Sequence, residues 1–324
     1  VGNQEIKVRF LSGKRKGKVV KAVSTNGSLY GATCYRGMKV VTLTNQSGEV
    51  TVTSVYSLNR EPFIYGFIGL FFLLLCIVGG KNGLKAVVGL VITFILVLLF
   101  LFPAIYRGMS PVNAAVITVI LTTIITIFVL TGYTRKSLAA ILGTVSGVVI
   151  SGIAAWLFGK ISGISGYNVS NIDNLVSVAN CTNIKIGDLL FAGILISSLG
   201  AVMDVGLSVA STITEIHDVN PELNTGELFK RGMNVGKDMM GTMANTLILA
   251  FAGGSLSELL LDYAYNLPYL QIVNSYTIGI ELMRGVAGSI GIILTVPLVS
   301  LFASVLMKIK FKFIDSPVVS EDTV

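Results

Sequence analysis

Asp204 stands in the run LLFAGILISSLGAVMDVGLSVASTI with no Lys or Arg within two turns of it. An ionised side chain in hydrocarbon costs about 2.5–3.5 kcal/mol even on insertion scales, so a segment that only spans would use Leu or Val there. A carboxylate inside a span is the group that proton relays and cation sites employ. It has company at helical spacing. Ser197, Gly200, Asp204, Ser208, Ser211 and Glu215 recur every three or four residues and share one stripe of a helix. GKDMMGTMANTL (236–247) repeats the pattern with Asn234, Asp238, Gly241 or Thr242, and Asn245. Asp204, Ser208, Asp238, Thr242 and Asn245 are therefore the candidates for an ion or proton pathway. Lipid offers no hydrogen bonds, so the two stripes are expected to turn inward, with Asp204 opposite Thr242 or Asn245.

Blander roles compete at each position. Thr242 and Asn245 are residue types that join helices, and Lys237 can snorkel to an interface. Glu281 and Arg284 lie one turn apart and read as a structural i,i+3 ion pair. Thr118, Thr122 and Thr126 form a further stripe, and Gly143-x-x-x-Gly147-x-x-x-Ser151 reads as a packing seam.

Other chemistries find little support. His217 is the single histidine and is expected in a loop. Cys34, Cys76 and Cys181 show no CxxC or metal spacing. There is no HExxH, no Ser/His dyad and no paired catalytic Asp motif. The expectation is no enzyme, no metal and no cofactor.

The elements that would position these residues follow from composition. Of 324 residues, 53% are hydrophobic and only 13% charged, against about 25% in soluble domains. The net charge of +7 reads as basic loops of a polytopic membrane protein, not a nucleic-acid surface. Residues 1–60 differ from the rest. EIKVRFLS, GKVVKAVS, MKVVTLTN and GEVTVTSVY alternate like short strands, with turn signals at Gly13–Gly17, Asn26-Gly27 and Gln46-Ser47-Gly48. They suggest a small all-β barrel of the OB or SH3 kind. Lys7, Arg9, Lys14, Arg15, Lys16, Lys18 and Lys21 make it basic. Such a face suits anionic lipid or wall polymer, or is simply solvated.

From Phe63 onward seven apolar segments are expected, near 63–80, 84–105, 112–132, 138–158, 187–210, 235–253 and 276–307. Alternate connections hold Lys81 and Lys85; Arg135 and Lys136; Lys230, Arg231 and Lys237; and Lys308, Lys310 and Lys312. The opposite ones hold only Arg107, then Lys160 and Lys185. The richer set is expected in the cytoplasm, which leaves the β-domain and the loop 159–186 outside. A Cys34–Cys181 disulfide stays open on that reading. Asn224-Thr-Gly-Glu227 and Ser255-x-x-Glu258 both read as capping boxes that open helices.

The stretches GAVMDVGLSVASTITEI, NPELNTGELFKRGMNVGKDMMGTMANTLILAFAGGSLSELL and IELMRGVAGSIGIILTVPLVS resemble the YibE/F-like family of bacterial membrane proteins. VRFLSGKRKGKVVKAVSTN and YRGMKVV extend the resemblance toward the N-terminus. It implies a polytopic membrane architecture, with a further anchor helix ahead of the β-domain. The Asp204 helix, the Thr- and Asn-rich helix after it and a Gly- and Ser-rich last helix with Pro297 are also similar to the membrane core of SecDF and other resistance–nodulation–division transporters. Those couple proton flow to movement through intramembrane carboxylates and Thr.

The expected protein is thus an α-helical polytopic membrane protein with a small N-terminal OB- or SH3-like barrel. Residues 1–60 form the external domain, 61–312 the helical domain and 313–324 a cytoplasmic tail. The expected function is a proton- or cation-coupled transporter, or a component of one, in the cell membrane. The alternative is a non-transporting scaffold or partner subunit with an external interaction domain. Expected partners are membrane lipid, protons or monovalent cations, and a second copy or another membrane subunit; nucleic acid is not among them.

Overall fold

The computed structural model describes residues 2–13, 15–25, 31–47, 50–169 and 172–309. The expected tail 313–324, Lys14, Lys310, Lys312, the Asn26-Gly27 turn and Gly48 lie outside the described residues. The chain divides into two compact units, Val1–Gly80 and Lys81–Val324.

The first unit begins with strands β1 (Asn3–Arg9), β2 (Val19–Thr25), β3 (Val40–Ser47) and β4 (Val50–Leu58). β1 alternates between exposed and half-buried positions, as a strand with one covered face does. β1–β2 and β3–β4 are antiparallel hairpins, and β2 meets β4 in parallel at Val23 and Ser54. The order is β1-β2-β4-β3. This corrects the expected barrel: the sheet is mixed and open, with β1 and β3 as unpaired edges among the described residues. Four strands of seven to nine residues supply too little sheet to curl round and pair edge with edge. Ser24 Oγ donates to Ala32 O at 2.7 Å, and Gly31 has φ 90, with its α-carbon against the Thr25 carbonyl where a Cβ has no room.

Helix α1 (Glu61–Leu96) runs through a π turn at Val97–Leu101 into α2 (Phe102–Tyr106). Next come α3 (Pro111–Thr131), α4 (Arg135–Ser162), the short α5 (Ile172–Asn180), α6 (Leu189–Val219) and α7 (Thr225–Gly254). The chain closes with α8 (Leu256–Ala264), α9 (Tyr269–Val273) and α10 (Tyr276–Lys308).

Five stretches are long and apolar enough to cross a membrane: Glu61–Tyr106, Pro111–Thr131, Arg135–Ser162, Ile186–Val219 and Tyr276–Lys308. α7 and α8, bent by 60°, make a sixth if taken together. Seven segments were expected, and the difference lies in two places. The expected first and second form one 46-residue stretch, broken only at Gly80, whose φ 53 and ψ −130 are not helical. Unbroken, it would reach about 69 Å, more than twice the ~30 Å of hydrocarbon. The expected sixth segment is α7, which passes as a span only with α8 because its first half is polar.

α10 is the centre of the second unit and packs on α4, α6 and α7. Lipid tails are as apolar as Leu, so helices gain little from hydrophobicity and must approach closely to gain from packing. The glycines allow this. Gly143 and Gly147 of α4 sit against Val299 and Thr295 of α10, and Gly236 of α7 sits against Val296. A Cβ on Gly291 would lie 2.8 Å from Ser151 Cβ. The Gly143–Gly147–Ser151 row is thus the seam between α4 and α10. Cations gather at one end of this unit. Lys85 Nζ donates to Leu130 O, Arg135 Nη1 to Met307 O and Lys308 Nζ to Pro221 O, at 3.4, 3.0 and 2.9 Å. Positive groups there satisfy carbonyls at or near helix C-termini.

Candidate functional site

α6 is apolar on one side and polar on the other. Ile194, Leu195, Val202, Val205, Val209 and Ile213 are buried in the bundle. Ser197, Gly200, Asp204 and Glu215 are exposed, and Ser208 and Ser211 half-buried. α7 opens with a formed capping box: Glu227 N donates to Asn224 Oδ1 and Asn224 N to Glu227 Oε2, both at 2.9 Å. Its Leu228, Gly232, Gly236 and Leu247 are buried. Asn234, Lys237, Asp238, Gly241, Thr242, Asn245 and Thr246 are exposed.

The stripes are present, but they do not turn inward as expected. Both lie opposite the buried side of their helix. Asp204 accepts no hydrogen bond and has no ion-pair partner among the described residues, from Thr242, Asn245 or elsewhere. The reason is competition for the centre. α10 presents Gly285, Gly288, Ser289, Gly291 and Thr295, all buried, and only the small and branched faces of α6 and α7 fit so close to it. Thr242 and Thr246 satisfy their hydroxyls on their own helix, donating to Asp238 O at 3.2 Å and Thr242 O at 2.9 Å. Asp204, Asp238 and Asn245 have no such recourse.

Depth makes Asp204 unusual. It is 15 residues from each end of α6, about 22 Å. The helix is about 46 Å long, so crossing ~30 Å of hydrocarbon would keep Asp204 at least roughly 6 Å inside however the excess is shared. Glu281 and Arg284, on the second and third turns of α10, are joined at 2.8 Å.

Two caps behave differently from each other. Ser255, at φ −97 and ψ 10, makes no side-chain cap to α8, so the expected Ser255–Glu258 box is not formed. His217 is not in a loop but in the last turn of α6. Its Nδ1 is buried without a partner and it lines a cavity of about 390 Å³ with Thr131, Thr134, Arg135, Lys136 and Asp218. In the N-terminal unit, Lys7, Arg9, Arg36 and Lys39 line a groove of about 890 Å³ between β1 and the start of β3. Cys34, Cys76 and Cys181 are free thiols.

The core holds polar atoms that spacing alone only partly revealed. Thr122, Thr123 and Thr126 of α3, Thr144 and Ser151 of α4, and Ser300 of α10 bury hydroxyls with no hydrogen-bond partner. A buried hydroxyl with no partner carries its desolvation penalty uncompensated. Thr122→Val keeps the shape and removes the orphan. Its thermal midpoint in detergent should equal or exceed that of the parent. A loss of more than about 1 kcal/mol would show that the hydroxyl is satisfied after all.

Residues 67–309 match a protein family described as YibE/F-like protein. No curated protein and no solved structure matches the chain.

Proposed function

Since the chain belongs to the YibE/F-like family, a family match that together with its apolar helices makes it a membrane protein, we propose that it is a proton- or cation-coupled transporter or a component of one. One observation carries this reading: Asp204 is a carboxylate at mid-helix, unpaired among the described residues and outside the core. A carboxylate in a span exchanges a proton or holds a cation, which Leu or Ser at the same place cannot do. Ser208, Asp238, Thr242 and Asn245 supply further oxygens and amides along the same route. The test is flux. Purified protein in liposomes, under an imposed potential, should acidify or alkalinise a dye-loaded lumen faster than empty liposomes. Flux no greater than in empty liposomes, across a panel of monovalent cations, would favour a scaffold.

In the proposed arrangement the protein is in the cell membrane, residues 61–79 and 81–106 cross it separately on either side of the break at Gly80, and the sheet and the connection between α4 and α6 lie outside. The cation-rich end, with Lys85, Arg135, Lys136 and Lys308, is cytoplasmic. Single-cysteine variants in a background lacking Cys34, Cys76 and Cys181 check this. Ser12→Cys should react with an impermeant maleimide on intact cells. Thr225→Cys should react only after permeabilisation. The opposite pattern would invert the topology.

A further inference from the structure

We propose that the polar face made by α6 and α7 is the docking surface for a second copy of this chain, and that the site around Asp204 is incomplete without that copy's α7. The inference does not depend on transport, because a scaffold would need the same face covered.

The face is polar where a bilayer is not. Asp204, Asp238, Lys237 and Asn245 are exposed on the single chain. None of them, nor Glu215, Lys230 or Arg231, is paired within the chain among the described residues. Hydrocarbon cannot solvate Asp204 at mid-helix, so another polar surface must; Glu215, Lys230 and Arg231 lie nearer the helix ends. The face also has room. A Cβ added at Gly193, Gly200 or Gly241 would meet nothing within 4 Å, whereas Gly143, Gly147, Gly232 and Gly236 are already filled by neighbouring helices.

The occupant follows from charge and depth. α6 contributes the acids Asp204 and Glu215; α7 contributes Lys230, Arg231, Lys237 and the amides, with one acid, Asp238, beside Lys237 at about 20 Å. The helices run in opposite senses from the short turn between Val219 and Thr225. Measured from that turn, Glu215 lies at about 6 Å and Arg231 at about 9 Å. Asp204 lies at about 22 Å, between Lys237 at about 18 Å and Thr242 at about 26 Å. Ser197 at about 33 Å matches Thr246 at about 32 Å. Rotation about the membrane normal keeps every depth. A two-fold axis along that normal therefore sets the α6 of each copy against the α7 of the other, acid level with cation and amide, in a self-complementary contact. Asp204 then lies level with Lys237 and Thr242 of the second copy instead of facing lipid.

Disulfide trapping in native membranes tests this. Two differently tagged copies, both lacking Cys34, Cys76 and Cys181, are co-expressed, one with Ser197→Cys and the other with Thr246→Cys. Oxidation should give a product carrying both tags, at least tenfold above a control pair with Leu142→Cys in place of Ser197→Cys. Gly200→Leu in both copies should cut that yield at least tenfold while leaving each chain folded, since nothing in the chain abuts Gly200. Three results would overturn the proposal. One is a disulfide that forms only within a single chain carrying both cysteines. Another is trapping of some other protein but not of the second copy. The third is trapping unchanged by Gly200→Leu. Because the readout is a covalent dimer, not flux, an inactive but dimeric protein would sink the transport reading alone.

Discussion

Asp204→Asn protein should insert and melt like the parent, yet lose its proton-dependent flux. Asn keeps the size and polarity of the side chain but cannot take up and release a proton at that place. The fold should not notice. Asp204 accepts no hydrogen bond among the described residues and sits outside the core, so the change should fall within about 0.5 kcal/mol, as for surface substitutions. The flux should notice strongly. Loss of a positioned proton-transfer group costs about two to four orders of magnitude in other settings, and a drop of at least a hundredfold is expected here. Asp204→Glu retains the titrating group and should recover part of the flux. Asp238→Asn, next to Lys237 and nearer the end of its helix, should have the smaller effect. A well-folded Asp204→Asn protein with undiminished flux would end the coupling role and leave Asp204 as glue.

The largest structural effect is expected at Gly147. A Cβ there would fall against Thr295 Oγ1, closer than any real contact, and 3.1 Å from Val202 Cγ1. Gly147 is thus where α4, α10 and α6 converge. Gly147→Val would have to part three helices. Overpacking typically costs about 1–3 kcal/mol, and the upper end or more is expected because neighbours press from two sides. For a chain of this size that is a fall on the order of 10 °C in the midpoint, or failure to accumulate. Gly69→Ala provides the contrast. Nothing lies within 4 Å of a Cβ at Gly69, and Ala favours helix over Gly, so its midpoint should hold or rise slightly. Equal midpoints for Gly147→Val and the parent would mean that α4 and α10 are not in the contact described.

Several features were readable from single residues and their spacing, because their causes are local. The four strands lie within about three residues of where alternation placed them. The Asn224–Glu227 box closes because both partners sit in one turn. The i,i+3 spacing of Glu281 and Arg284 brings them to 2.8 Å without help from the rest of the chain. Ser255–Glu258 shows the limit of such reading. It has the right letters, but α7 runs to Gly254 and leaves Ser255 near φ −97 and ψ 10, not in the extended conformation from which a side chain caps.

What the sequence determined by itself was therefore the polar stripe of each helix and the small-residue seam on α4. Where the stripes point was decided only by the tertiary structure. Helical period assigns Asp204 and Ser197 to one side of α6 but says nothing of how α6 is rotated about its axis. That rotation is set by α10, whose glycines admit only the close-fitting faces of its neighbours and so leave the polar ones outside. Sheet closure is the same kind of quantity. Each strand was legible alone, but whether β1 meets β3 depends on how far all four curl together, and four do not curl far enough.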